Sequence, residues 1–473
     1  MQTDAARFEE TKRQIQTRME GRGIHPEAIA EFLRRASRVN EGFSGRIPWN
    51  EIDRADAGDL ARFEDLKAEA TTEDLAKLVV VKLNGGLGTS MGLSKAKTLL
   101  PVKDGETFLS IIRRQTECLR RNFQAPVPLV FMSSVATQDD TLAAPGIASI
   151  NDGIPGRIPP SFLQSWVPRL RKDTLAPLVT DSEDECWCPP GHGDIFMSLK
   201  VTGILDALLN SGLEVAFISN GDNLGASFDG RILRWFLDER LDFAMEVTPK
   251  TQADMKGGAL FRSRPVSGES RLGLLEIAQV EAGHEKDFQD LSRFPHFNTN
   301  NLWLNLKSLR AKLASGGLSL PVIVNGKTVA GTEVLQLETA MGAAIGSFER
   351  TKGLIVPRTR FAPVKTNADL LVRRSDCYLL REEDGALVRD PARTLGEPSV
   401  KLGNDYKSLG DFDRLVRVVP SLVGVQSLEV EGPVLFDVPV RLLGRVRIVN
   451  TRGKTVPISA AGKSVIQDEV VTL

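Results

Sequence analysis

The sequence predicts an α/β protein, with a helical segment before it and an all-β module after it. Three observations carry that reading. Short β-branched runs recur from residue 78 onward, stretches of helical character lie between several of them, and polar glycine-rich loops directly follow apparent strands. Alternation of strands with helices points to a largely parallel sheet. In such a sheet ligands bind where the strands end and the loops emerge. At 473 residues the chain is too long for one ordinary core, so three parts are expected. These are a helical segment over residues 1–75, a central domain over 76–385 and a C-terminal module over 386–473.

The first part reads as helices. In "HPEAIAEFLRRASRV", Pro26 suits a first helical turn, and Ile29, Phe32, Leu33, Ala36 and Val39 recur at helical spacing. It carries no chemical cluster, and a helical layer covering the core explains it. The central part begins with "LAKLVVVKL", a run suited to a strand buried on both faces. Further strand-like runs are "VPLVFM", "EVAFIS" and "FAMEV", and "FLSIIRRQTECLRRNF" reads as a helix between two of them. The last part, from "VVPSLVGVQSLEV" to "GKTVPI", is valine-rich and punctuated by Gly424, Gly432, Gly444 and Gly453. Short strands with glycine turns suggest an all-β module, a β-helix being one form.

Composition excludes several function classes. Sixty basic residues against sixty-one acidic ones leave no global field for nucleic acid or a membrane surface, although a local basic pocket is compatible. Cys118, Cys186, Cys188 and Cys377 are too few and scattered for a disulfide framework, and no second pair lies at a zinc spacing. No apolar stretch is long enough to span a bilayer, and the charged N-terminus lacks a secretory h-region. A soluble cytoplasmic protein with reduced thiols is expected.

The richest stretch is "KLNGGLGTSMGLSKAKTLLPVK", residues 82–103. Gly85, Gly86, Gly88 and Gly92 let backbone amides approach an anion and tolerate positive φ. The stretch is no P-loop, lacking Gly-Lys-Ser/Thr, and Met91 replaces the third glycine of the dinucleotide fingerprint. A strand-to-helix turn needs no ligand to be glycine-rich. Lys95 and Lys97 just beyond are what point to a polyphosphate. In "CWCPPGHGDIFMSL", His192 stands between Gly191 and Gly193, where it can donate to a phosphate or a sugar hydroxyl. In "VAFISNGDNLGASFD", Asp222 follows a strand and suits Mg²⁺, although an Asx-turn would use the same residues. Asn298, Asn300 and Asn301 of "FPHFNTNNLWLNL", with Glu276, offer the mixed donors and acceptors that sugar hydroxyls need. Lys365, near Arg358 and Arg360, belongs either to a solvated face or to an anion contact.

In this order "KLNGGLGTSMG", "PPGHGDIF", "GDNLG", "MEVTPKT", "KGGAL", "LLEIAQV", "FNTNNLWLNL", "LQLETAMGAAI", "PRTRFAPVKTNADLL" and "SDCYLL" cover roughly residues 78–380. So arranged, they resemble the UTP–glucose-1-phosphate uridylyltransferase family of the eukaryotic kind, the UDP-glucose pyrophosphorylases. The resemblance implies a GT-A-like, Rossmann-type mixed sheet and a C-terminal left-handed β-helix that mediates assembly, hence a homo-oligomer. It implies Mg²⁺-assisted uridylyl transfer from UTP to glucose 1-phosphate, giving UDP-glucose and pyrophosphate. By carry-over, Leu83, Asn84, Gly85 and Gly86 hold the nucleotide with Gln164, Gly191 and Gly193. Lys97, His192 and Lys365 contact the phosphates as catalytic groups. Asn220, Gly258, Glu276, Asn298 and Asn300 face the sugar, and Asp222 holds the metal.

The chain departs from the family pattern at two places. Leu93-Ser94-Lys95-Ala96-Lys97 stands where Cys-x-Gly-Pro-Lys is usual, so Lys95 is an alternative to Lys97 as the phosphate lysine. Asn220-Gly221-Asp222-Asn223 stands where Asn-Ser-Asp-Asn is usual. Alternative readings are a UDP-sugar or UDP-N-acetylhexosamine pyrophosphorylase, or a catalytically silent nucleotide-sugar-binding protein. Thr89-Ser90-Met91 in place of the Thr-Arg-Leu of the former relatives favours the glucose enzyme, and Lys97, Asp222 and Lys365 together favour an active one.

Overall fold

The computed structural model describes residues 4–251, 254–264 and 269–473. Its centre is an eight-stranded mixed sheet. In chain order the strands are β1 (Leu60–Arg62), β2 (Leu78–Asn84), β3 (Leu129–Ser133), β4 (Ser161–Leu163), β5 (Val215–Asn220), β6 (Phe243–Pro249), β7 (His296–Asn305) and β8 (Thr351–Ile355). They lie side by side as β1-β8-β6-β7-β5-β2-β3-β4. Only β7 runs against its neighbours, pairing antiparallel with β5 and β6. The other contacts are parallel, so seven strands end on one side of the sheet.

The β-branched run decides the place of β2. Leu78 through Lys82 are all buried, as a strand covered on both faces requires. Side chains alternate between two layers. Val80 joins Phe131, Phe217 and Trp303 on one face. Val79 and Val81 join Val130, Ile218, Phe196 and Leu199 on the other. The expected helix between β2 and β3 spans Phe108–Phe123. Thr107 caps it by accepting from the Ser110 amide at 3.1 Å, and Gln124 ends it in a left-handed conformation.

The N-terminal segment is helical only in part. Helices α1 (Asp4–Gly21) and α2 (Pro26–Asn40) pack Ile15, Met19, Ile29 and Phe32 against Trp187 and Val322. Beyond them Ile52–Arg54 pairs with Ala259–Ser263, and β1 completes the central sheet. Helical periodicity stops at residue 40, and the short strands that follow are held by distant partners.

Near the other expected boundary, Tyr378–Leu380 pairs with Leu387–Arg389, a hairpin that straddles residue 385. The C-terminal ladder begins after it. Ser399–Leu402, Ser421–Glu431, Arg441–Val449, Val465–Gln467 and Val470–Thr472 pair in parallel throughout. Their inward side chains, among them Leu422, Val425, Leu442 and Ile448, share one hydrophobic cluster with the central domain. Among the described residues no helix is long and apolar enough to cross a membrane.

Candidate active site

Where β2, β3, β4 and β5 end, their loops enclose a cleft of about 320 Å³. Leu83, Asn84, Gly85 and Gly86 line it together with Gln164, Gly191, His192, Asn220, Asp222 and Lys97. The strands explain the convergence. Parallel neighbours release their loops on the same side, so segments more than a hundred residues apart meet.

The glycines serve different ends. Of the four glycines that tolerate positive φ, Gly88 (66°) and Gly92 (73°) use it, whereas Gly85 and Gly86 do not. At Gly85 what matters is room, because a Cβ would lie 3.0 Å from Gln164 Oε1. The Gln164 amide is buried against that bare backbone and donates from Nε2 to the Gly191 carbonyl at 3.0 Å. Asn84 lines the cleft, yet its side chain is occupied. It accepts from Thr98 at 2.6 Å and donates to Thr141 at 2.7 Å. Asn84 therefore fixes the loop with its side-chain amide, and its carbonyl is likewise occupied, accepting from the Thr137 hydroxyl at 2.7 Å.

Lys97 donates to Asp222 at 2.6 Å. Its own amide donates to the Gly86 carbonyl at 3.0 Å, which turns the lysine back over the glycine loop. Lys95 is exposed and does not line the cleft. Gly221, the departure from the family pattern, has a physical reason. Its amide donates to the Leu83 carbonyl at 2.8 Å, and a Cβ would sit 2.9 Å from that same oxygen. The Asp222 turn thus presses directly on β2.

His192 is held from behind. The Met341 amide donates to Nδ1 at 3.0 Å, so in the neutral ring Nε2 carries the proton. Burial pushes the imidazole down to about 4, which keeps it neutral at ordinary pH. It is a donor without charge. Gly191 (φ 81°) would place a Cβ 2.4 Å from the Thr339 carbonyl, so the loop closes on "LETAMG" only with glycine there. Gly193 departs from expectation. Its amide is spent on Thr339 O at 2.8 Å, and it borders a cavity behind the loop instead of the cleft.

A second cluster gathers the expected sugar-facing residues apart from Asn220, which lines the cleft itself. The Asn298 amide N–H donates to the Gly258 carbonyl at 2.7 Å, and a Cβ on Gly258 would meet the Glu276 carboxylate at 2.6 Å. Asn298 and Asn300 hydrogen-bond each other at 2.8 Å through side chain and backbone, with Asn300 at φ 60°. Burial raises the Glu276 pKa, and the Lys250 charge opposes the rise. Lys365 is exposed and does not line the cleft. Its segment is nonetheless tied there, because Pro363 pairs with Asn223 and the Ala362 amide donates to Asn223 Oδ1 at 2.8 Å.

Sequence reasoning missed the scaffold beneath. Glu246 is fully buried and takes Arg360 in a bidentate pair at 2.6 and 2.7 Å, with Asn301 and Trp303 each donating at 3.0 Å. Asn223 donates to the Arg360 carbonyl at 3.1 Å, which anchors the Asp222 turn to this network. Arg360 is therefore structural and reaches no anion. Arg358 likewise pairs with Asp254 at 2.7 Å. The clue was present in "MEVTP", a carboxylate in a strand otherwise apolar, which demands a buried partner. Thr98, Met132 and Pro189 also line the cleft and carried no signal.

An open sheet with bare glycine amides, one lysine–carboxylate pair and a neutral histidine at its strand ends defines a phosphate-handling α/β protein of the nucleotidyltransferase class. Comparison with known proteins specifies it further. Residues 29–443 match the model of the UTP–glucose-1-phosphate uridylyltransferase family. The chain is 42% identical over 434 residues to that enzyme of Saccharomyces cerevisiae, covering 90% of this chain and 84% of the relative. It is 41% identical over 449 residues to that of Musa acuminata, covering 93% of each. Among solved structures, a Leishmania major UDP-glucose pyrophosphorylase variant in complex with UDP-glucose superposes with a TM-score of 0.89 at 38% identity, covering 98% of this chain and 99% of the other. A structure described as UDP-glucose phosphorylase from Trypanosoma brucei gives a TM-score of 0.86 at 38% identity, covering 98% of this chain and 100% of the other. The chain belongs to the UTP–glucose-1-phosphate uridylyltransferase family.

Proposed function

We propose that this protein transfers the uridylyl group of UTP to glucose 1-phosphate, giving UDP-glucose and pyrophosphate. The observation that carries the reading is the Lys97–Asp222 pair lining a cleft beside the Gly85–Gly86 backbone, in a chain of this family. A phosphate oxygen of the sugar phosphate attacks the α-phosphorus of UTP and pyrophosphate leaves. That nucleophile is ionised near neutral pH, so no general base is required. Catalysis reduces to positioning two polyanions and stabilising the charge that builds between them.

The residues divide accordingly. Gly85, Gly86 and Gln164 bind the uridine, whose N–H and carbonyls match an amide and main-chain groups. Leu83, Asn84 and Gly191 complete that wall. Lys97 leaves Asp222 to contact phosphate oxygens, and His192 donates to one from Nε2. Lys365 reaches the phosphates only if its segment, tied to Asn223, moves toward the cleft. Asn220, Gly258, Glu276, Asn298 and Asn300 receive the sugar. The donor set suits Mg²⁺. Asp222 is a hard oxygen ligand of the kind Mg²⁺ takes when its remaining ligands come from substrate phosphates and water. Asp222 would hold it, and when bound it supplies neutralisation of phosphate charge.

The C-terminal parallel ladder is read as a left-handed β-helix and a surface for self-association. The three-part division and a cytoplasmic location belong to the same proposal. Pyrophosphate release from UTP, Mg²⁺ and glucose 1-phosphate tests the reaction, with galactose 1-phosphate and N-acetylglucosamine 1-phosphate in parallel. Fast release with glucose 1-phosphate is expected. Release only with another sugar would change the acceptor, and none with any would overturn the proposal.

A further inference from the structure

At the far edge of the central sheet, away from the cleft, β1 closes a second cavity of about 280 Å³. Its fixed charges are all of one sign: Arg54 and Arg62 from the segment before the sheet and Arg293 from the approach to β7, with His296 beside them, its pKa lowered by burial and by the Arg62 charge. No Asp or Glu lines it. The reason lies in strand alternation. Asp53, beside Arg54 in its strand, pairs with Arg264, while Asp56 and Asp59 pair with Arg262. Every aspartate of residues 52–62 is thus spent on the neighbouring hairpin. Among the described residues Arg54, Arg62 and Arg293 have no carboxylate partner within 4.0 Å, although the chain places 61 acidic residues elsewhere.

The floor is apolar. Leu60, on the same face of β1 as Arg62, meets Val247, Leu260 and Ile355 there. Arg293 is preset: it donates to the Ile52 carbonyl at 3.1 Å and lies 4.3 Å over the Trp49 ring. Three arginines, Arg54 and Arg62 exposed and Arg293 half-buried, line a cavity with an apolar floor, and that combination matches one chemistry. Their planar forks bind phosphate oxygens in pairs, and the floor takes a ring.

We propose that this cavity is a second ligand site, separate from the catalytic cleft, for a small organic phosphate with an apolar or planar body. Two connections join it to the sugar-facing cluster. Leu260 lies two residues from Gly258, and His296 two from Asn298.

The test uses 1-naphthyl phosphate as probe, titrated calorimetrically into the full-length protein and into the Arg54→Gln/Arg62→Gln variant, with and without saturating UDP-glucose. Both arginines lack carboxylate partners, so the variant is expected to melt with the wild type. The wild type should bind the probe equally well with UDP-glucose present, and the variant at least tenfold more weakly. UDP-glucose should bind the two proteins alike. 1-Naphthoate, with one charge and the same ring, should bind at least tenfold more weakly than the phosphate. Probe binding abolished by UDP-glucose, or unchanged in the variant, overturns the site. Equal binding of the naphthoate overturns its assignment to phosphates. Absence of UDP-glucose binding would count against the proposed reaction alone, leaving the wild-type and variant comparison to decide this cavity.

Discussion

Replacing Lys97 with alanine removes the one cation that, among the described residues, pairs with Asp222, and the structure separates its catalytic worth from its structural worth. The Lys97 ammonium lies 2.6 Å from the carboxylate, with the two side chains 15% and 24% exposed. At an effective dielectric near 20 their attraction is about 6 kcal/mol, most of it offset by the cost of drawing two ions out of water. A solvent-reachable pair of this kind contributes up to about 1 kcal/mol net, which sets the loss of folding stability expected of Lys97→Ala. The loss in the reaction is larger. A preorganised donor aimed at developing charge contributes roughly 3–4 kcal/mol, a fall in kcat of about 10²–10³-fold. Pyrophosphate release at saturating substrates measures the second quantity and urea unfolding the first. A kcat within about threefold of wild type would refute the reasoning, because an aligned cation cannot be lost so cheaply. Unfolding at room temperature would refute it differently, making the pair structural. Asp222→Asn and the double variant complete a cycle, and strong non-additivity is expected of groups in contact.

Three further outcomes follow from particular contacts. Glu276→Gln should raise KM for glucose 1-phosphate about tenfold and leave UTP binding unchanged, since the carboxylate lies against Gly258 outside the nucleotide cleft; a matching rise in KM for UTP would count against a sugar role. Glu246→Gln leaves the buried Arg360 guanidinium without its carboxylate and should cost about 3–5 kcal/mol of unfolding free energy; a loss below about 1 kcal/mol in urea would show the network to be dispensable. His192 supplies a pH dependence. Its pKa is pushed down to about 4 in the folded protein, so between the unfolded value near 6.5 and about 4 the unfolded chain binds more protons. Stability is therefore lost as pH falls through that window, and His192→Gln should flatten the decline of Tm from pH 7 to 4.5. An equally steep decline in the variant would mean that other groups cause it.

Much of the site was legible because its chemistry is local. The bare amides at Gly85 and Gly86, the carboxylate after β5 and the histidine between glycines each sit in a short segment whose residue types announce the demand. Alternation of strands with helices then implied that such segments meet at one edge. Other features were invisible for an equally physical reason. Choosing Lys97 over Lys95 required the Gly86 carbonyl that turns the chain back. Nothing in the letters "RTR" distinguishes a solvated arginine from one locked onto Glu246. Gly193 looked like part of a cradle until Thr339 took its amide.

The sequence by itself determined the periodicities, the strands buried on both faces and the inventory of polar groups, since these depend on residues a few positions apart. The tertiary structure alone decided which polar groups remain available. A buried donor or acceptor must find a partner, and here that partner is often more than a hundred residues away. Lys97 and Arg360 are both basic residues paired with a carboxylate. Lys97 lines the cleft, where a substrate phosphate can replace Asp222, whereas Arg360 is buried with Glu246 and has no such exchange open to it.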